Sequence, residues 1–138
     1  MSPQSPRPND NADLIVLIKA MSGKRIEGRR RRDRITQSQL ARAVGRSERW
    51  LREIEAGIPT SRLEDHVRCA HSLRISTAHI FIPLLFAEHN MPIPLELLEL
   101  DDLWEVEEAC LAFIAQHQAA AKNRRALKSA YPSNHQSG

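Results

Sequence analysis

The chain is poor in aromatics, cysteine and long apolar runs, and each shortage excludes something. Phe, Trp and Tyr make up 4% of its 138 residues. The core must therefore come from Leu, Ile, Val and Ala, which suits small packed helices. Cys69 and Cys110 form neither a disulfide framework nor a CxxC pair, so the chain reads as cytoplasmic with reduced thiols. The longest mostly apolar stretch, residues 78–87, contains His79 and Pro83 and falls far short of the ~18–20 residues a membrane span needs. Residues 14–18 are too short for a signal-peptide core, and Asp10 and Asp13 precede them. No nucleophile–base grouping, glycine-rich phosphate loop or carboxylate pair stands out, so neither enzyme activity nor a cofactor is expected. His66, Cys69 and His71 fall at i, i+3 and i+5 on one helix. They share no face and have no evident fourth ligand, so no metal site is expected.

A further absence is positional. Residues 76–110 contain no Lys or Arg and eight acids, for a net charge of −8. Residues 24–75 hold 14 basic and 7 acidic residues, net +7. The overall charge of +3 hides this separation. The basic segment invites a polyanion, and the acidic one needs its own explanation.

Along the chain, residues 1–10 hold three prolines and read as a disordered leader. Leu14, Leu17, Ile18 and Met21 then form a helical face. Ser22 and Gly23 are expected to loosen the chain before the basic run KRIEGRRRRDR. Thr36 with Gln39 is a capping box that opens a helix with Leu40, Ala43 and Val44 inward. Gly45 ends it. Ser47 caps the next helix, with Trp50, Leu51 and Ile54 on its inner side and Glu48, Arg49, Arg52 and Glu53 outside. Gly57 stops that helix. Another runs from Arg62 with Leu63, Val67, Ala70 and Leu73 inward, and Ser76 caps a last short one through Ile80.

Pro92 and Pro94 mark a break, and LELLEL is a short helix. Asp102 with Glu105 is a second capping box. The helix it opens carries Leu103, Val106, Cys110, Phe113, His117 and Ala120 at alternating steps of three and four, widened by Trp104, Leu111 and Ile114. Residues 131–138 lose the pattern and read as a flexible tail.

The run TQ-x-x-LA (Thr36, Gln37, Leu40, Ala41), then G-x-S (Gly45, Ser47), then L-x-x-I-E-x-G (Leu51, Ile54, Glu55, Gly57) carries a resemblance. Residues 26–80 resemble the phage-repressor or Cro-like helix-turn-helix family, also called XRE-type. The chain departs from the family at Arg29 and His66, where leucine is usual, and at Ala56 and Pro59. The resemblance implies an all-α fold, with a five-helix DNA-binding domain over residues 11–90 that acts as a dimer on double-stranded DNA. It also implies that the recognition helix, residues 47–56, lies in the major groove with Ser47, Glu48, Arg49 and Glu53 toward base edges. Arg49 would donate to guanine O6 and N7, and Glu48 or Glu53 would accept from a cytosine amine. Gln37 matches a phosphate-contacting position, and Arg46, Arg52, Thr60 and Arg62 flank the groove. Arg30 matches a position that pairs with Glu55 inside the domain. The basic run Lys24–Arg34 is thus either a DNA-facing stripe or a solvated helix face. Trp50 is either a core-edge residue or an exposed aromatic. Cys110 is expected to be a small core residue, and His66 half-buried.

The wide apolar stripe of the tail cannot be covered by its own helix. Residues 91–130 are therefore expected to dimerise, with Leu103, Trp104, Val106, Leu111, Phe113 and Ile114 at the contact. Two-fold symmetry would set two recognition helices roughly 34 Å apart. The acidic segment either answers the helix dipole, keeps that side off DNA, or pairs with a second subunit or a protein partner. The expected function is sequence-specific transcriptional regulation. The alternative is a protein-interaction adaptor or antitoxin-like module on the same scaffold. What separates the two readings is whether Arg49 and Glu53 stand exposed beside Gln37.

Overall fold

The computed structural model describes residues 8–130, with side chains from residue 13 onward. The expected flexible tail and the first seven residues of the expected leader lie outside the described residues. Among the described residues every element is a helix: α1 Pro8–Arg32, α2 Gln37–Ala43, α3 Glu48–Glu55, α4 Leu63–Ser72, α5 Ala78–Glu88, α6 Leu95–Leu98 and α7 Trp104–Ala130. The fold is all-α.

Helix α1 begins at Pro8, inside the span expected to be leader. Proline suits a first helical position, where its missing N–H is needed by no partner. The helix also runs unbroken through Ser22 and Gly23, where the sequence pointed to a loosening. Both residues serve packing. The Ser22 hydroxyl lies 2.9 Å from His66 Nδ1 on α4. A Cβ on Gly23 would sit 2.5 Å from the Ile54 carbonyl oxygen of α3. Ser22 thus ties α1 to α4, while Gly23 lets α1 cross the end of α3 at backbone contact. Gly57 repeats this from the other side, where a Cβ would meet the Ala20 Cα at 2.5 Å.

Helices α2 and α3 start as their caps dictate. Thr36 Oγ1 accepts from the Gln39 amide at 3.1 Å, and the Gln39 side chain accepts from the Thr36 amide at 2.9 Å. Ser47 Oγ accepts from the Trp50 amide at 3.1 Å. On α2 the buried pair is Leu40 and Ala41, and Ala43, expected inward, is exposed. The ends of the first five helices share one device. Arg34, Gly45, Gly57, Arg74 and Asn90 all have positive φ, between 54° and 71°. In each case the next residue donates its N–H to the carbonyl five residues back, as Arg46 does to Ala41 at 2.8 Å. This left-handed stop consumes orphan carbonyls and turns the chain sharply.

On α4, Ala70 and the Leu73 that follows the helix are buried as expected, but Leu63 and Val67 are only half-buried, and Asp65, His66 and Cys69 are buried beside them. Of the inward polar groups, His66 is hydrogen-bonded through both ring nitrogens, whereas Asp65 Oδ1 is buried with no hydrogen-bond partner among the described residues. Helix α5 reaches Glu88 rather than stopping near Ile80, and it contains Pro83, which is buried. Ser76 Oγ accepts from the Ala78 amide at 3.2 Å at its start. The core is the cluster of Ile26, Leu40, Leu51, Ile54, Cys69 and Ile75 with their neighbours, edged by Ile35, Val44 and Trp50.

The chain divides into two units after Leu103. Residues 91–103 therefore group with the helical domain rather than with the tail. Leu98 and Leu103 are buried there. Arg25 on α1 donates to the carbonyls of Leu98 at 2.6 Å and Leu100 at 3.1 Å, closing the C-terminal end of α6 onto α1. The second unit consists, among the described residues, of α7 alone. None of its residues is buried. Among the described residues, no helix is long and apolar enough to cross a membrane.

Candidate nucleic-acid interface

Helix α3 has two unlike sides. Leu51, Ile54 and Glu55 are buried, and Glu48, Arg49, Arg52 and Glu53 are exposed. Its apolar residues fall three apart, at Leu51 and Ile54, and fix the rotation of the helix against the core. That rotation sends the four charged side chains outward together. They pair along the helix at i, i+4: Arg49 with Glu53 at 3.7 Å and Arg52 with Glu48 at 3.7 Å. The face is a balanced set of exposed donors and acceptors. The Arg49 side chain keeps 84% of its accessibility.

The turn before α3 shapes the rest of the face. Arg46 lies over the Trp50 ring, 5.6 Å from its centroid, a cation–π contact that stiffens the turn. Trp50 is half-buried at the core edge. Ser47 spends one hydroxyl lone pair on its cap, so its remaining capacity is mainly as a donor. Thr60 is exposed. Arg62 is exposed and meets Glu64 at 3.0 Å.

Gln37, at the first position of α2, is half-buried. Its Nε2 donates to Glu55 Oε2 at 3.2 Å. Glu55 in turn accepts from Arg30 Nε at 2.7 Å and Arg30 Nη2 at 3.4 Å. Arg30 Nη1 also donates to the Ile35 carbonyl at 3.0 Å. One buried carboxylate therefore joins α1, α2 and α3 and sets the direction of the Gln37 amide. Arg31, Thr36, Gln37, Ser38 and Glu48 line an open hollow at this point. The sequence motif names Glu55, but its role in aiming Gln37 emerges only from the fold.

The basic run separates by partner. Arg30 is buried with Glu55, the internal pair that the resemblance implied. Arg25 serves α6; burial pulls its guanidinium pKa down, and nearby Asp101 raises it in part. Arg31 pairs with Glu27 at 2.7 Å and Arg32 with Asp33 at 3.4 Å. Lys24 and Arg34 are exposed.

Behind the face, His66 is fully buried rather than half-buried. Ser61 Oγ donates to the Ile58 carbonyl at 2.7 Å and lies 3.0 Å from His66 Nε2. That assigns the proton to Nε2 and leaves Nδ1 to accept from Ser22. Burial, reinforced by Lys19, lowers the His66 pKa to about 4. The Cys69 thiol beside it is buried and pushed up to about 12, first by burial and then by Asp65 and Glu55. Sequence spacing gives no hint of the Ser22–His66–Ser61 chain, since its members come from three separate segments.

The expected dimer contacts are not alike. Leu103 is wholly buried, at 0% exposure, in the first unit and is not available to a second copy. Trp104, Leu111, Phe113 and Ile114 are exposed, and Val106 is half-buried. Cys110 is exposed rather than part of a core. No family model, curated protein or solved structure matches this chain.

Proposed function

We propose that this chain is a sequence-specific regulator of transcription that binds double-stranded DNA as a homodimer in the cytoplasm. The observation that carries this reading is the outward side of α3. Glu48, Arg49, Arg52 and Glu53 are all exposed on a short helix whose inner side is locked into the core. Such a helix fits a major groove and offers both donors and acceptors to base edges. Gln37 stands at the start of the preceding helix, held by Glu55, where its remaining amide groups and nearby backbone N–H groups would meet phosphate. Arg46, over Trp50 of α3, is exposed, and Arg62, Lys24 and Arg34 are further exposed cations.

Selection of bound duplexes from a random pool, followed by titration across salt, tests the reading. A regulator should enrich a palindrome and lose roughly 10³-fold in affinity between 50 and 200 mM salt if about six phosphates are engaged. No enrichment and a flat salt response would discard it. The paired charges of α3 would then be those of a protein-binding adaptor.

A further inference from the structure

Helix α7 carries its charges only toward its ends. Glu105, Glu107 and Glu108 lie near its start, and Lys122, Arg124, Arg125 and Lys128 near its finish. Residues 109–121 contain no Asp, Glu, Lys or Arg. Through this stretch and beyond both its ends, Val106, Cys110, Phe113, His117, Ala120 and Leu127 follow steps of four and three, with Arg124 completing the series. That is the heptad spacing of a coiled-coil seam. The Phe113 and His117 rings lie 4.6 Å apart on it, and Phe113 is 62% exposed. An exposed seam of this length needs a cover.

We propose that the α7 of a second copy covers it, running antiparallel, with the two-fold axis near Ala115. Charge decides the direction. A parallel pair would set acids beside acids and bases beside bases. An antiparallel pair sets each acidic end beside the basic end of the other copy and opposes the two helix dipoles. Of these charges Glu107 and Lys128 flank the seam, one residue past Val106 and Leu127, whereas Glu108 and Lys122 lie on the outer side of the helix. The helix dipole alone favours acids at the start and bases at the finish, but it does not call for the seam. In this register Cys110 faces Ala120 of the second copy, and Phe113 faces His117 of the second copy on both sides of the axis. Val106 faces Arg124, whose long side chain reaches past the seam toward the acidic end of the second copy. The inference rests on the homodimer proposed above and not on its DNA contacts.

Cys110 supplies the test. In the antiparallel register two Cys110 residues are separated by about 15 Å along the axis, beyond disulfide reach. In a parallel pair they would be neighbours. The full chain should sediment as a dimer and form no intermolecular disulfide when diamide oxidises its thiols. The Ala120→Cys variant should cross-link to dimer through Cys110 under the same oxidant. Buried Cys69, with its raised pKa, stays out of the reaction. Phe113→Glu, on an exposed helix outside the core, should weaken the dimer at least ~10-fold by burying a charge. A disulfide in the unsubstituted dimer would overturn the antiparallel direction. A dimer that Ala120→Cys fails to cross-link, or that Phe113→Glu leaves intact, would overturn this seam while leaving the homodimer. A monomer would overturn both.

Discussion

Arg30 Nε donates to Glu55 Oε1 at 2.7 Å, fastening the last turn of α1 to the last turn of α3 in the interior, where both side chains are less than a tenth exposed. Removing one partner leaves the other charge buried without compensation. Glu55→Ala is therefore expected to cost about 3–5 kcal/mol in denaturant unfolding. Replacing both residues, Arg30→Met with Glu55→Leu, should recover most of that loss. It should not recover the aim of Gln37, which would have lost its acceptor. Unfolding and DNA titration on the double variant thus separate the two roles of Glu55. Near-normal stability with weakened DNA binding is expected. Equal recovery of both would show that Gln37 needs no such guide.

A second expectation concerns the crossing of α1 and α3. At Gly23 an added Cβ would meet the carbonyl oxygens of Ile54 and Glu55 at 2.5 and 2.6 Å. These are backbone atoms at the end of a packed helix and cannot swing aside. Helix propensity alone favours Gly23→Ala by about 1 kcal/mol. Overpacking opposes it by about 1–3 kcal/mol or more. The clash should win, and thermal unfolding should occur at a lower temperature. Gly28, where an added Cβ would meet nothing within 4 Å, is the control: there Gly28→Ala should stabilise by about 1 kcal/mol.

These two glycines show how far the sequence could be read. Caps and stops are local chemistry. Thr36 with Gln39, Ser47, Gly45 and Gly57 therefore announce α2 and α3 correctly from the sequence alone. Gly23 looks like a break for the same local reasons, and only its contact with α3 shows why it is glycine. Helix α5 is apolar on nearly all sides, so it lacks the one-sided stripe by which helices are recognised, and Pro83 reads as its end. His66 looks half-buried because its hydroxyl partners are distant in sequence at Ser22 and nearby but in a loop at Ser61. Leu103 continues the stripe of α7 by spacing, yet its burial depends on where the first unit ends. The four outward charges of α3 were readable from periodicity; the aim of Gln37 was not.

The buried His66 also makes stability depend on pH. Its pKa is lowered from the ordinary 6.5 to about 4 in the folded chain. Below pH 6.5 the unfolded chain takes up this proton more readily than the folded one, so acid favours unfolding. The contribution of His66 is complete above about pH 6.5 and fades as pH falls toward 4. The loss should approach about 3 kcal/mol over that interval. His79, whose pKa burial also lowers, adds to the effect with the same sign. Denaturant titrations between pH 7 and pH 4 check this, and His66→Gln should flatten the slope. A slope unchanged by that substitution would place the acid sensitivity elsewhere.

On the outward face of α3, the pair of Arg49 with Glu53 at 3.7 Å sets up the last expectation. An exposed pair of this kind is worth only about 0–1 kcal/mol, so a better acceptor should readily draw Arg49 away. Guanine is such an acceptor, because its O6 and N7 match the guanidinium fork. Arg49→Ala should then relax the preference at one base pair by about 1–3 kcal/mol and leave other positions alone. Glu53→Gln should act differently. It removes a carboxylate that phosphates repel and frees Arg49, so overall affinity should rise while selectivity is kept at the position Arg49 reads. Titrations of both variants against duplexes carrying each base pair at that position distinguish the roles. If Arg49→Ala weakens every duplex alike, Arg49 holds a phosphate. If Glu53→Gln abolishes preference at a neighbouring pair, Glu53 is itself reading a cytosine amine.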